Sequence, residues 1–82
     1  MENKEIDAVL SVLNELKEDH AVPKNVRLKI EDAVNILKGD TETEIKSSRV
    51  LSKLEEIAED VNVQPYTRTQ IWDLISLLEK IK

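Results

Sequence analysis

Slid 41 residues along itself, the chain meets a second copy of its own pattern. Leu10-Ser11-Val12-Leu13-Asn14-Glu15-Leu16-Lys17-Glu18-Asp19 falls on Leu51-Ser52-Lys53-Leu54-Glu55-Glu56-Ile57-Ala58-Glu59-Asp60. The echo runs on through Val22 and Val63, Arg27 and Arg68, Ile30 and Ile71, Asp32 and Asp73, Leu37 and Leu78. With Val9 and Val50, twelve positions are identical without a gap, and the 82 residues are twice 41. Whatever one half folds into, the other must fold into as well. Each half carries apolar residues at helical spacing on either side of one break, which predicts a helical hairpin with one apolar side. Such a hairpin cannot cover that side alone, and two of them facing each other close a core. The expected fold is therefore all-α: a four-helix up-and-down bundle built from two duplicated hairpins. A period of 41 residues also suits stacked helical repeats, but those need at least three copies. The chain is read as one domain, residues 1–82, with a first repeat of about 1–40 and a second of about 41–82.

The periodicity places the elements. Ile6, Val9, Leu10, Leu13 and Leu16 make one stripe of a first helix over about residues 3–18. It ends near Val22, which Pro23 pushes out of the α region. Pro23 suits the opening of a second helix, whose inward face is Val26, Ile30, Ala33 and Leu37, with Leu28 nearly opposite. Gly39, the single glycine, is expected to end that helix in a left-handed conformation. Thr41 and Glu44 fit a capping box opening the third helix, which is expected to be the longest and to run to about Val61 with Ser47, Val50, Leu51, Leu54, Ile57, Ala58 and Val61 on its inward face. The fourth helix starts at Pro65 or at a Thr67–Gln70 capping box, and Ile71, Leu74, Ile75, Leu78 and Ile81 face inward. Helices 1 and 3 then point the same way, so the turns near residues 19–22 and 60–64 share one end of the molecule.

Composition narrows the function more by exclusion than by assertion. There is no cysteine, so stability rests on packed aliphatic side chains, and a reducing compartment is the natural expectation. A net charge of −5 disfavours direct binding to nucleic-acid phosphates or anionic membranes. No apolar run approaches the roughly 20 residues of a membrane span, and Met1–Glu5 shows no signal-peptide core, so the cytoplasm is the expected location. No glycine-rich phosphate loop exists, and no Ser/His/Asp set can be assembled around His20, the only histidine. The chain is read as a non-enzyme with no cofactor.

Two constellations remain. Glu15, Glu18 and Asp19 recur as Glu56, Glu59 and Asp60, at the ends of helices 1 and 3. Carboxylates there oppose the helix macrodipole, so their presence calls for a reason. One reading is an oxygen-ligand site for Mg²⁺ or Ca²⁺. The simpler reading is local ion pairing, since Arg27 and Arg68 recur one turn into the following helices. Asp32 and Asp73 flank the core stripes of helices 2 and 4 and are read as solvated, the alternative being a buried polar contact across the pseudo-axis. The second constellation is apolar. Trp72 falls where the first half has Glu31, so it breaks the internal pattern, and Trp is favoured where proteins dock. With Tyr66, Leu77, Ile36 and Leu28 it supplies candidate partner-binding residues. These five cannot all share one patch, because Trp72 and Leu77 lie on opposite shoulders of one helix. The alternative is that Trp72 and Tyr66 cover the edge of a small core. The leading expectation is a protein–protein interaction module, binding a protein partner or itself as a homo-oligomer; the rival is a metal-binding or metal-regulated protein using the acidic end.

Two runs carry a resemblance: Ala21-Val22-Pro23-Lys24-Asn25-Val26-Arg27, and Gln64-Pro65-Tyr66-Thr67-Arg68-Thr69-Gln70-Ile71-Trp72. With the chain length, they resemble a small archaeal protein family of the UPF type, whose function is uncharacterised. The resemblance spans the whole chain. It implies an archaeal, cytoplasmic protein, a methanogen being one candidate source, and a four-helix arrangement of bromodomain-like shape. That shape carries no ligand pocket with it, and the resemblance brings no catalytic residues to transfer.

Overall fold

The computed structural model describes residues 4–81. They form four helices: α1 (Lys4–Lys17), α2 (Lys24–Lys38), α3 (Thr43–Ala58) and α4 (Pro65–Ile81). The expected start of helix 1 at Asn3 lies outside the described residues. Consecutive helices pack side by side and α1 closes against α4, so the four make a ring around one interior while the diagonal pairs stand apart. The extents, 35 × 19 × 17 Å, have one long axis, as aligned helices require. The bundle expectation holds, and closure of α1 on α4 is what a stacked solenoid would lack. No helix is long and apolar enough to cross a membrane among the described residues.

The core is almost wholly aliphatic. Val9, Leu13 and Leu16 of α1 meet Val26, Ile30, Ala33 and Leu37 of α2, then Val50, Leu54 and Ile57 of α3, then Ile71, Leu74 and Leu78 of α4, all buried in one cluster. Val22 and Val63, matched residues of the two turns, close one end of it. The boundaries repeat as the side chains do. From the end of α1 at Lys17 to the end of α3 at Ala58 is 41 residues, and from the start of α2 at Lys24 to the start of α4 at Pro65 is also 41.

Several local expectations give way. Gly39 ends α2 with φ −73° and ψ 172°, an extended conformation open to any residue, and its N–H donates to the Ile36 carbonyl. The Thr41 capping box does not form: α3 starts at Thr43, and Glu42 stands before it without a side-chain cap. Pro23 precedes α2 instead of opening it, whereas Pro65 is the first residue of α4. Thr67 is buried inside α4 and caps nothing at its start. α4, with 17 residues, exceeds α3, with 16. Val61 lies beyond the end of α3 and is 90% exposed, not part of its inward face.

One device replaces the missing caps at all three connections. The fourth residue of each following helix is a cation that reaches back to backbone carbonyls at the preceding helix end or in the turn just after it. Arg27 donates to the Asp19 and Val22 carbonyls at 3.0 and 3.2 Å. Lys46 Nζ donates to those of Leu37 and Gly39 at 3.1 and 3.3 Å. Arg68 donates through Nε to Ala58 and through its terminal nitrogen to Asp60, at 2.9 and 2.8 Å. A helix C-terminus presents unpaired carbonyls and the negative end of its macrodipole, so a cation satisfies both. Starting α3 at Thr43 forgoes a side-chain cap and places Lys46 for this contact.

Two buried polar atoms have no partner among the described residues, Arg27 Nε and Ser47 Oγ. Ser47 is fully buried where the first half has Ile6. An unpaired buried hydroxyl costs about 1–3 kcal/mol, so Ser47→Ala is expected to raise the midpoint of thermal unfolding; a fall would show that the hydroxyl has a partner. Arg68→Met keeps the aliphatic stem and removes the donors. It is expected to destabilise by about 2 kcal/mol in denaturant titrations, more than Arg27→Met. That loss should persist at high salt, since the acceptors are carbonyls; a loss that salt abolishes would indicate an ion pair instead.

Candidate functional site

The repeated acidic residues divide into two jobs. Asp19 and Asp60 build the turns. Each side chain accepts the N–H two residues on, Ala21 at 2.9 Å and Asn62 at 2.8 Å, the Asx-turn that lets the chain leave a helix. Asp60 also accepts Asn25 Nδ2 at 3.2 Å, which ties the second turn to the start of α2 at the end the two turns share. The ion pairing expected between these aspartates and Arg27 and Arg68 is replaced by the carbonyl contacts, because the arginines run past the side chains to the backbone. Glu15, Glu18, Glu56 and Glu59 are exposed. Among the described residues no three His, Asp or Glu side chains stand together as a metal ion would need. The six carboxylates read as a metal site are therefore not gathered into one. His20 is an exposed turn residue. Asp32 is exposed and lies 3.8 Å from Lys53 across α2 and α3, and Asp73 is exposed, as solvated residues are.

The apolar candidates also separate. Ile36 and Leu77, which occupy matched positions, are half-buried against the core and serve its flanks. Leu28 is 54% exposed, Tyr66 73% and Trp72 51%. Leu28 stands on α2, which does not touch α4, and Tyr66 lies six residues before Trp72, about 120° around the same helix. Ile45 is exposed as well, and so is Val61, expected from the sequence on the inward face of helix 3.

Trp72 lines a concavity. An open groove of about 420 Å³ runs between α3 and α4, bounded by Ser52, Glu55, Glu56, Glu59 and Trp72. Positions 52, 55, 56 and 59 fall at i, i+3, i+4 and i+7, a single stripe of α3 beside its core stripe. The structure thus brings together residues from the two separate constellations: the indole from one, Glu56 and Glu59 from the other. Glu55 and Ser52 complete the groove. The stripe spacing was visible in the sequence, and its pairing with Trp72 required the packing of α3 on α4. None of the three glutamates makes an ion pair among the described residues. Arg68, one turn before Trp72, is already committed to the carbonyls of Ala58 and Asp60.

Comparison with known proteins finds relatives over nearly the whole chain. The profile of an uncharacterised protein family, UPF0147, matches residues 1–81. The UPF0147 protein of Methanothermobacter thermautotrophicus is 35% identical over 83 residues, covering 100% of this chain and 81% of that protein. The UPF0147 protein of Pyrococcus furiosus is 38% identical, covering 94% and 85%. A crystal structure of a protein of unknown function, MMP1188, superposes with a TM-score of 0.88 at 38% identity, covering 95% of this chain and 90% of that one.

The turn role of Asp60 separates from a ligand role by substitution. Asp60→Ala is expected to lose about 1 kcal/mol of stability, and Asp60→Asn, which keeps an acceptor oxygen, to recover most of it. An equal loss in both would mean that the charge, and not the turn bond, matters.

Proposed function

Since the chain belongs to the UPF0147 family of archaeal proteins, whose function is uncharacterised, we propose from its surface that it is a non-catalytic helical protein–protein interaction module docking through the groove at Trp72. The observation that carries this reading is the half-exposed indole in an open concavity. The interior is closed by aliphatic side chains from all four helices, and the matched position on the first half is a glutamate. An aromatic anchor in a groove, ringed by polar groups, is the usual make-up of an interface hot spot. The partner is a different protein: a second copy seated on the same face would bring two sets of glutamates together.

The rival divalent-cation reading has only scattered carboxylates to draw on, two of them engaged in turns. Recovery of partners from an archaeal lysate by the wild type and by Trp72→Ala tests the docking reading. A partner lost about tenfold or more with Trp72→Ala, in a variant that retains its helical circular-dichroism spectrum, is the expected result. Equal recovery of every partner would discard the groove. Heat on titration with Mg²⁺, Ca²⁺ or Mn²⁺ would favour the metal reading instead.

A further inference from the structure

We propose that the groove between α3 and α4 receives an arginine side chain from a basic segment of a protein partner, its guanidinium lying against the Trp72 indole with Glu55, Glu56 and Glu59 around its charge. This rests on the docking reading of Trp72 and adds the chemistry of the occupant.

The rim selects by charge. Three carboxylates stand along one stripe of α3, and none is neutralised within the described residues. An apolar side chain entering there would strip water from those carboxylates and return nothing for it. An anionic group would meet like charge from the rim and from a chain of net charge −5. A cation gains from both kinds of neighbour, since an indole face attracts positive charge and the carboxylates accept its hydrogen bonds. Between the two basic side chains, the planar guanidinium stacks on an aromatic face while its edge forks to carboxylates, which a compact ammonium cannot do at once. The groove, about 420 Å³ and open to solvent, admits a side chain laid along it. The placement also gives a reason for acidic residues at the end of α3, where the helix dipole disfavours them.

The first half supplies the internal contrast. Its matched positions are Ser11, Asn14, Glu15 and Glu18 on α1, with Glu31 in place of Trp72. It keeps part of the charge and lacks the aromatic surface, so the second half alone combines them.

Trp72 is the only tryptophan, so its fluorescence reports on this groove and nowhere else. The full chain is titrated with a hexa-arginine peptide at low salt. Saturable change in Trp72 emission is expected, with binding weakened about tenfold in the double variant Glu56→Gln/Glu59→Gln. The double variant Glu15→Gln/Glu18→Gln removes the same charge from the matched stripe and is expected to bind within about twofold of wild type. Equal weakening in both pairs would reduce the attraction to net charge, and a silent Trp72 would remove the occupant from the groove; either overturns the proposal. So would hexa-lysine binding as tightly with the same change in emission. Circular dichroism checks that both variants remain folded. A cellular partner that still depends on Trp72 but ignores Glu56→Gln/Glu59→Gln would discard the arginine and leave the docking reading standing; loss of the Trp72 dependence would discard both.

Discussion

The bundle depends on two helix pairs covering each other. α1 with α2, and α3 with α4, each present a row of valine, leucine and isoleucine that has no shelter within the pair. The seams α2–α3 and α1–α4 supply that shelter by closing the ring. Burying one such side chain contributes roughly 1.5–3 kcal/mol, and the core draws on all four helices. A chain of 82 residues has little margin and no disulfide to add to it, so neither seam is dispensable. The interior is an aliphatic cluster in which the hydroxyl of Ser47 is left unpaired among the described residues.

The ends of the helices follow a second rule. Among the described residues, no helix ends in a left-handed residue or starts on the capping box its sequence suggested. Instead, a cation at the fourth position of the next helix holds carbonyls at or just beyond the end of the last. Two of the three, Arg27 and Arg68, were marked by the 41-residue echo, although the echo pointed to the carboxylates of Asp19 and Asp60 as their targets. Lys46 falls on Glu5 of the first half and its connection joins the halves, so the echo could not single it out. Spacing identifies which residue is near a helix end; it does not distinguish a side-chain carboxylate from a backbone carbonyl a few ångströms away.

The same division governs the surface. Helical period was enough to place the inward residues, since 3.6-residue spacing and burial are tied together. Leu28 could be placed outside on the same ground. Val61 could not, because its place depends on where α3 stops, and the Asx-turn at Asp60 stops it earlier than the apolar pattern suggests. Trp72 stood out as a break in the internal pattern, and Glu56 and Glu59 stood out as part of it. Their meeting in one groove is a product of α3 packing on α4, a relation between helices that neither stripe encodes alone. Ile36 and Leu77 looked like surplus apolar surface and are flanking core, because the small aliphatic interior of this bundle draws in the shoulders of its helices.

Separating the two helix pairs tests mutual shelter most directly. Residues 1–40 and 41–82, prepared as two peptides and studied where each is monomeric, are expected to show weak helical circular dichroism and no cooperative melting, with both restored when they are mixed in equal amounts. Cooperative melting of either monomeric peptide by itself, at a midpoint near that of the intact chain, would contradict the account.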